Sequence, residues 1–196
     1  MTRVEPLDDG PDGRPRWRLK VPALEASILA GLPDRIEDLL THPDRNQRII
    51  ARLFPKAHDD ETDEREYRAL LGESMFDGRR EMVGLIRTML GSAKAVGETL
   101  HIELGAPEID VWLRFVNDAR LMLATDLGLD DLSGGLGGRA VDWGHPDAPR
   151  YALLEYLGAV EMLLLGAVSP GVLDCGKDLD GTADDGTTED DDPDAS

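Results

Sequence analysis

The chain has 196 residues, 41% hydrophobic and 5% aromatic, and its 40 acidic and 21 basic side chains leave a net charge of −19. That length suits one domain with tails and can bury a core without cross-links. The charge opposes non-specific binding to DNA or anionic membranes, and the scarcity of aromatics argues against a base-stacking surface.

Residues 1–15, rich in Pro, Gly and Asp, read as a disordered N-terminal tail. "RWRLKV" (16–21) alternates Trp17, Leu19 and Val21 with Arg16, Arg18 and Lys20, which predicts a short strand. Pro22 opens a helix that Pro33 is expected to end, beginning the next one, "DRIEDLL". Asp44 is placed to cap "RNQRIIARLF". After the acidic loop 59–66, apolar residues from Tyr67 to Leu90 recur at three- and four-residue steps, the mark of a long helix. Residues 91–97 loosen that pattern. "TLHIEL" (99–104) alternates again and is the expected partner of 16–21. Residues 106–129 form the strongest helical pattern, with Pro107 in the first turn and Gly128 at the end. A Gly-rich connection follows, then a last helix from Arg150 to Val168. Residues 174–196, with ten acids and one lysine, read as a disordered acidic tail. The predicted fold is mainly α: an irregular helical bundle with a minor two-stranded β element, one domain over residues 16–173.

Few residues arrange themselves for chemistry. "GGLGGR" (134–139) lacks the spacing of a phosphate loop and reads as a connection. Asp178, Asp180, Asp184 and Glu189 mimic calcium-loop spacing, but Ala183 stands where the loop needs glycine. His42, His58, His101 and His145 show no metal spacing, and no cofactor or metal is expected. The one cysteine, Cys175, excludes an intramolecular disulfide and a thiolate cluster. The first twenty residues hold no apolar stretch of signal-peptide length, and the apolar run 162–168 is too short to span a membrane. Two basic stretches stand against the acidic total: Arg14, Arg16, Arg18 and Lys20, and the helical series Arg45, Arg48, Arg52 and Lys56, which are candidate contacts for a partner.

The segment "FVNDARLML" (115–123) raises the sharpest question. At 100° per residue, Asn117 and Asp118 fall on the polar arc of their helix, but Arg120 falls in the apolar arc. A buried guanidinium without a partner costs several kcal/mol, so Arg120 requires a carboxylate. Glu161 lies on the apolar arc of the last helix and is the expected partner in a buried structural pair; Glu66 is the alternative.

Three segments together resemble a known family. "RLFPKAHDDETDEREYR" (52–68) looks like its Leu-Phe/Leu-Pro, acids, Glu-aromatic-Arg pattern. "WLRFVNDARLMLATDLGL" (112–129) resembles its Trp-x-x-x-x-Asn-Asp-x-Arg-Leu-x-Leu segment, and "YALLEYLGAVEMLL" (151–164) its closing helix. Over residues 16–168 the chain resembles the actinobacterial oxidative-stress regulators, called AosR-like, long catalogued as a domain of unknown function. Asn117 and Asp118 are the polar markers of that resemblance. It implies a helical cytoplasmic protein in transcriptional control of oxidative stress and cysteine metabolism. It also implies a protein partner such as a sigma factor, and sensing through a cysteine pair. Cys175 alone cannot form that pair. His58 stands where the family usually has an aromatic, and Glu161 where Gln is common.

The expected function is therefore that of a non-enzymatic cytoplasmic regulatory protein working by protein–protein contact. A direct DNA binder using stretches 14–20 and 45–56 is the alternative. A small-molecule site or enzyme around Arg120 is a second one.

Overall fold

The computed structural model describes residues 1–129 and 144–169. The elements are β1 (Arg3–Leu7), β2 (Arg16–Pro22), α1 (Ala23–Thr41), a 3-10 turn (Pro43–Asn46), α2 (Gln47–Leu53), α3 (Glu61–Gly91), β3 (Lys94–Val96), β4 (Thr99–Gly105), α4 (Ala106–Asp126) and α5 (Ala148–Val168). Mainly α is right, but the helices are not a bundle with a minor two-stranded element: they pack with a four-stranded antiparallel sheet, ordered β1-β2-β4-β3. The expected pairing of 16–21 with 99–104 forms its centre, with Leu19 opposite Ile102 and Trp17 opposite Leu104.

The two added strands are short edges, which composition conceals. β1 lies in the segment read as a disordered tail. Pro6 is tolerated because an edge strand bonds on one side only. β3 follows directly on α3 and turns into β4 through Gly97 and Glu98, Gly97 taking the left-handed φ of 59° that a two-residue hairpin demands.

α1 also departs from expectation. It runs unbroken through Pro33, which is itself buried. An interior proline costs about 3 kcal/mol. Here Leu29, Leu32, Ile36, Leu39 and Leu40 all bury along the same helix, and that apolar burial outweighs the loss. Asp44 caps nothing: it sits in the 3-10 turn, and Asn46 precedes α2 without a side-chain cap. Asp60 does cap α3, accepting from the amides of Thr62 (2.8 Å) and Asp63 (3.1 Å).

α4 is the central element. It packs against α1, α2, α3, α5 and β4, and Ile109, Trp112, Phe115, Val116, Ala119 and Leu123 are fully buried. Its start is fixed by Glu108, which accepts from the Gly105 amide at 2.9 Å, and its end by Gly128 at φ 67°. The helix of residues 148–168 packs on α4 and on β1. By length and composition this 21-residue helix, with an 18-residue stretch of mean hydropathy 1.6, is long and apolar enough to cross a membrane, although the run 162–168 alone is not.

The N-terminus is tied to that last helix. Glu25 accepts from the Thr2 amide (2.9 Å) and hydroxyl (2.6 Å), so the Tyr156 hydroxyl, 3.0 Å from Thr2 Oγ1, is the donor there. Burial pushes the Tyr156 phenol from 10.0 up to about 12, and the nearby Glu25 carboxylate adds to that shift. A raised phenol pKa is stability fully present below the unfolded value and lost as pH climbs through the folded one, so this share disappears between pH 10.0 and about 12. Tyr156→Phe should delete the component near pH 12 from the alkaline absorbance titration of the three tyrosines. An unchanged curve would mean that Tyr156 does not sit in this cluster.

Candidate functional site

The charged residues of the helical layer converge where α2 ends. A helix leaves its last carbonyls without intrahelical donors, and cations suit that pole. α3 supplies both cations. Arg79 Nη2 donates to the Leu53 carbonyl (2.8 Å), and Arg68 Nη2 to those of Phe54 (2.7 Å) and Pro55 (3.1 Å). The Arg79 guanidinium also lies 4.2 Å from the centre of the Phe54 ring, which stacks on Phe76 at 4.4 Å.

Each arginine has a carboxylate. Arg79 Nε donates to Asp118 of α4 at 2.9 Å, and Asp118 is only 5% exposed. Burial pushes the Asp118 carboxyl above its ordinary value, with Arg79 opposing. Arg68 Nε donates to Glu64 at 2.6 Å, and the other Glu64 oxygen accepts from the amides of Ala57 (2.9 Å) and His58 (3.1 Å). The Arg68 bond, and behind it those amides, hold the Glu64 carboxyl below its usual range. A depressed carboxylate stabilises above its unfolded pKa and loses that share as pH falls through the folded one. Acidification should therefore release loop 55–58 first. Protection of the Ala57 and His58 amides, relative to their intrinsic exchange rates, should fall as pH drops through the depressed Glu64 titration and should be already low in Glu64→Gln. Continued protection in Glu64→Gln would count against this anchoring.

Arg120 reaches Glu161 as expected: its Nη1 donates to the Glu161 carboxylate between α4 and α5. The pair is half-buried rather than buried, with side chains 16% and 20% exposed. The guanidinium lies over the Gly158 backbone, and its buried Nε has no hydrogen-bond partner. Glu66, the alternative partner, is exposed.

Asn117 and Asp118 part company. Asn117 is exposed, as a polar-face residue should be, but α3 crosses the helix beside it and covers Asp118. Between α3 and α4 lies a groove of about 340 Å³, lined by Ser74, Met75, Gly78, Arg79, Met82, Arg114, Asn117 and Asp118. Arg114 is held by Asp110 at 2.7 Å.

The basic series of residues 45–56 does not form one helical side. Arg45 sits in the 3-10 turn, and Arg48 in α2 lines with it a cavity of about 480 Å³ that also touches Thr125 and Asp126. Arg52 turns inward and donates to the Leu129 carbonyl at 2.5 Å. Lys56 lies exposed beyond the helix. Of the first basic stretch, Arg16, Arg18 and Lys20 lie on β2, where Arg18 pairs with Glu103 (3.2 Å) and Lys20 with Glu5 (2.5 Å), while Arg14 precedes the strand and pairs with Asp12 (3.6 Å).

Among the described residues no group of three His, Cys, Asp or Glu side chains is placed to hold a metal ion. The sequence reading missed Arg79, Arg68 and Glu64. The i,i+4 spacing of Glu64 and Arg68 was a usable signal; Arg79, in the exposed-looking run "DGRRE", carried none. The Gly-rich stretch 134–139, the calcium-like spacing of 178–189 and Cys175 lie outside the described residues.

No curated protein and no solved structure matches the chain. A family model does, across residues 1–168. That match takes in the segment from Leu53 to Arg68, Asn117 to Arg120 and Glu161. The chain thus belongs to the family described as a domain of unknown function, DUF2017.

Proposed function

We propose that the protein is a non-enzymatic cytoplasmic regulator that acts through protein–protein contact. Its setting is the transcriptional control of oxidative stress or cysteine metabolism that the AosR-like resemblance implies. The observation that carries the contact reading is the outward side of α5. Ala152, Ala159, Met162, Leu165 and Val168 are all exposed there, and only 22% of the most apolar window of this helix is buried. An exposed apolar surface of this kind is the usual mark of a partner site. The non-enzymatic reading rests on the helical layer: Arg68, Arg79, Arg120, Glu64 and Asp118 are each engaged by a structural partner. That leaves little of the pairing of nucleophile, base and oxyanion donors that catalysis needs.

Affinity purification of the full chain from its native host, under reducing and oxidising conditions, tests the proposal. A transcription component such as a sigma factor should co-purify with the wild type, and Met162→Glu/Leu165→Glu should lose it. Recovery of no transcription component under either condition would sink the reading. A DNA-binding role has the basic side of β2 in its favour. It requires affinity that falls steeply with salt. The inward turn of Arg52 and the overall charge weigh against it.

A further inference from the structure

The strand register concentrates positive charge on the side of the sheet away from the helices. Leu19, Val21, Ile102 and Leu104 point into the core, so their neighbours along each strand point out. Cross-strand pairing then aligns Arg3 with Lys20, Lys20 with His101, and His101 with Lys94, a row of four basic side chains spanning all four strands. Arg16 and Arg18 continue β2 on the same side, and the only carboxylates on these strands are Glu5 and Glu103. Like charges directly opposite one another destabilise a sheet. Partial burial, then Lys20 and Arg18, hold the His101 imidazole below its ordinary value, as a crowded cationic surface requires. Arg3 and Lys20 share Glu5 (3.0 and 2.5 Å) and Arg18 takes Glu103 (3.2 Å), so on this face of a chain of net charge −19 the five arginines and lysines outnumber their two carboxylates and leave an excess of positive charge.

The same chain carries a complementary anion. Residues 174–196 hold ten acids and one lysine, begin six residues after α5 ends, and have almost no apolar side chain. Residues 169–196 reach up to roughly 90 Å extended. A domain of this size has a radius of gyration of about 15 Å. A tethered segment acts at an effective concentration on the order of millimolar, which an acidic segment of another protein would have to match. A nucleic acid fits less well, because Glu5 and Glu103 interrupt the cations and no exposed aromatic lies on the face.

We propose that the outer face of the sheet is the docking surface for the chain's own acidic segment 174–196, with the row Arg3–Lys20–His101–Lys94 facing its carboxylates. The segment shields this face, so that an external anion reaches it only by displacing the tail. This proposal stands apart from the reading of α5 above.

The lysines make a direct test. A water-soluble carbodiimide joins a lysine Nζ to a nearby carboxylate as an amide, the lost water converting the carbodiimide to its urea. The chain has four lysines: Lys20 and Lys94 on the face, Lys56 exposed and away from it, and Lys177 in the segment itself. Treated at low salt and digested, the full-length protein should give amides between Lys94, and less often Lys20, and acids of 178–194. Lys94 products should exceed those of Lys56 about fivefold and should fall away in 1 M NaCl, where the screening length is about 3 Å. An equal mixture of ¹⁵N-labelled and unlabelled protein should give unmixed products. Mixed products would make a second copy the occupant. Equal labelling of Lys56, insensitivity to salt, or no product at Lys20 or Lys94 would each overturn the proposal. As an independent reading, a nitroxide on Cys175 should broaden the amides of β3 and β4, and Arg3→Glu/Lys94→Glu, both on exposed side chains, should restore them.

Discussion

Replacing Asp118 with alanine should lower the unfolding free energy by about 3–5 kcal/mol, the cost of removing one partner of a buried pair. The charge left behind, Arg79, is about three-quarters buried and anchored at two other points, the Leu53 carbonyl and the Phe54 ring, so it cannot swing into solvent without uncapping α2. The loss should therefore spread: α2 and loop 54–58 lose their fixation along with α4. For a chain of this length the change amounts to a fall of roughly 6–15 °C in Tm. Urea unfolding of the wild type, Asp118→Ala and Asp118→Asn, each at several pH values, measures it. The pH dependence follows from burial raising the Asp118 carboxyl. A raised carboxyl pKa contributes stability that is complete in acid and lost as pH rises through the folded value. The gap between wild type and Asp118→Ala should be widest at low pH and narrow toward neutrality. A gap that instead widens with pH would show that Arg79 outweighs burial at this site. A loss under 1 kcal/mol would show that the pair is not closed at all.

Arg120→Ala should cost about 2–4 kcal/mol, and Glu161→Gln about 1. The alanine leaves a carboxylate half-buried between α4 and α5, whereas the amide still accepts a hydrogen bond from the guanidinium and leaves no unpaired anion. The double variant Arg120→Met/Glu161→Met should recover most of the loss, since an apolar pair needs neither desolvation nor charge balance. A double-mutant cycle on Arg120 and Glu161 should return a coupling of about 1–3 kcal/mol. Coupling near zero would make the contact incidental to the packing of the two helices. The orphaned Nε of Arg120 sets a ceiling on the pair, because one buried donor stays unsatisfied even in the native state.

The two pairs were not equally legible. Arg120 and Glu161 each break an apolar arc, and a helix turns every residue by a fixed angle, so both anomalies show in one dimension. Asp118 breaks nothing. It sits on a polar arc, and only the crossing of α3 converts that position into a buried one. Arg79 was hidden for the same reason: its stretch of α3 looks solvated, and its partners are backbone carbonyls of another helix. Leu70 shows the converse. It fits the helical period, yet it is 81% exposed, because the first half of α3 is held by Arg68 and the Phe54–Phe76 stack rather than by an apolar seam.

Period and local chemistry settle which segments are helices, where Pro107 and Gly128 start and stop one of them, and that 16–21 and 99–104 alternate as strands, but not that Asp60, inside the stretch read as an acidic loop, caps α3. Those are properties of near neighbours along the chain. The pairing of β1 on β2, the meeting of β2 with β4 that lines up the basic row, and the capping of α2 by arginines of α3 join residues 9 to 89 positions apart in the sequence. Their energies come from burial, strand pairing and charge at contacts that exist only after the chain has closed on itself, and no local preference encodes them.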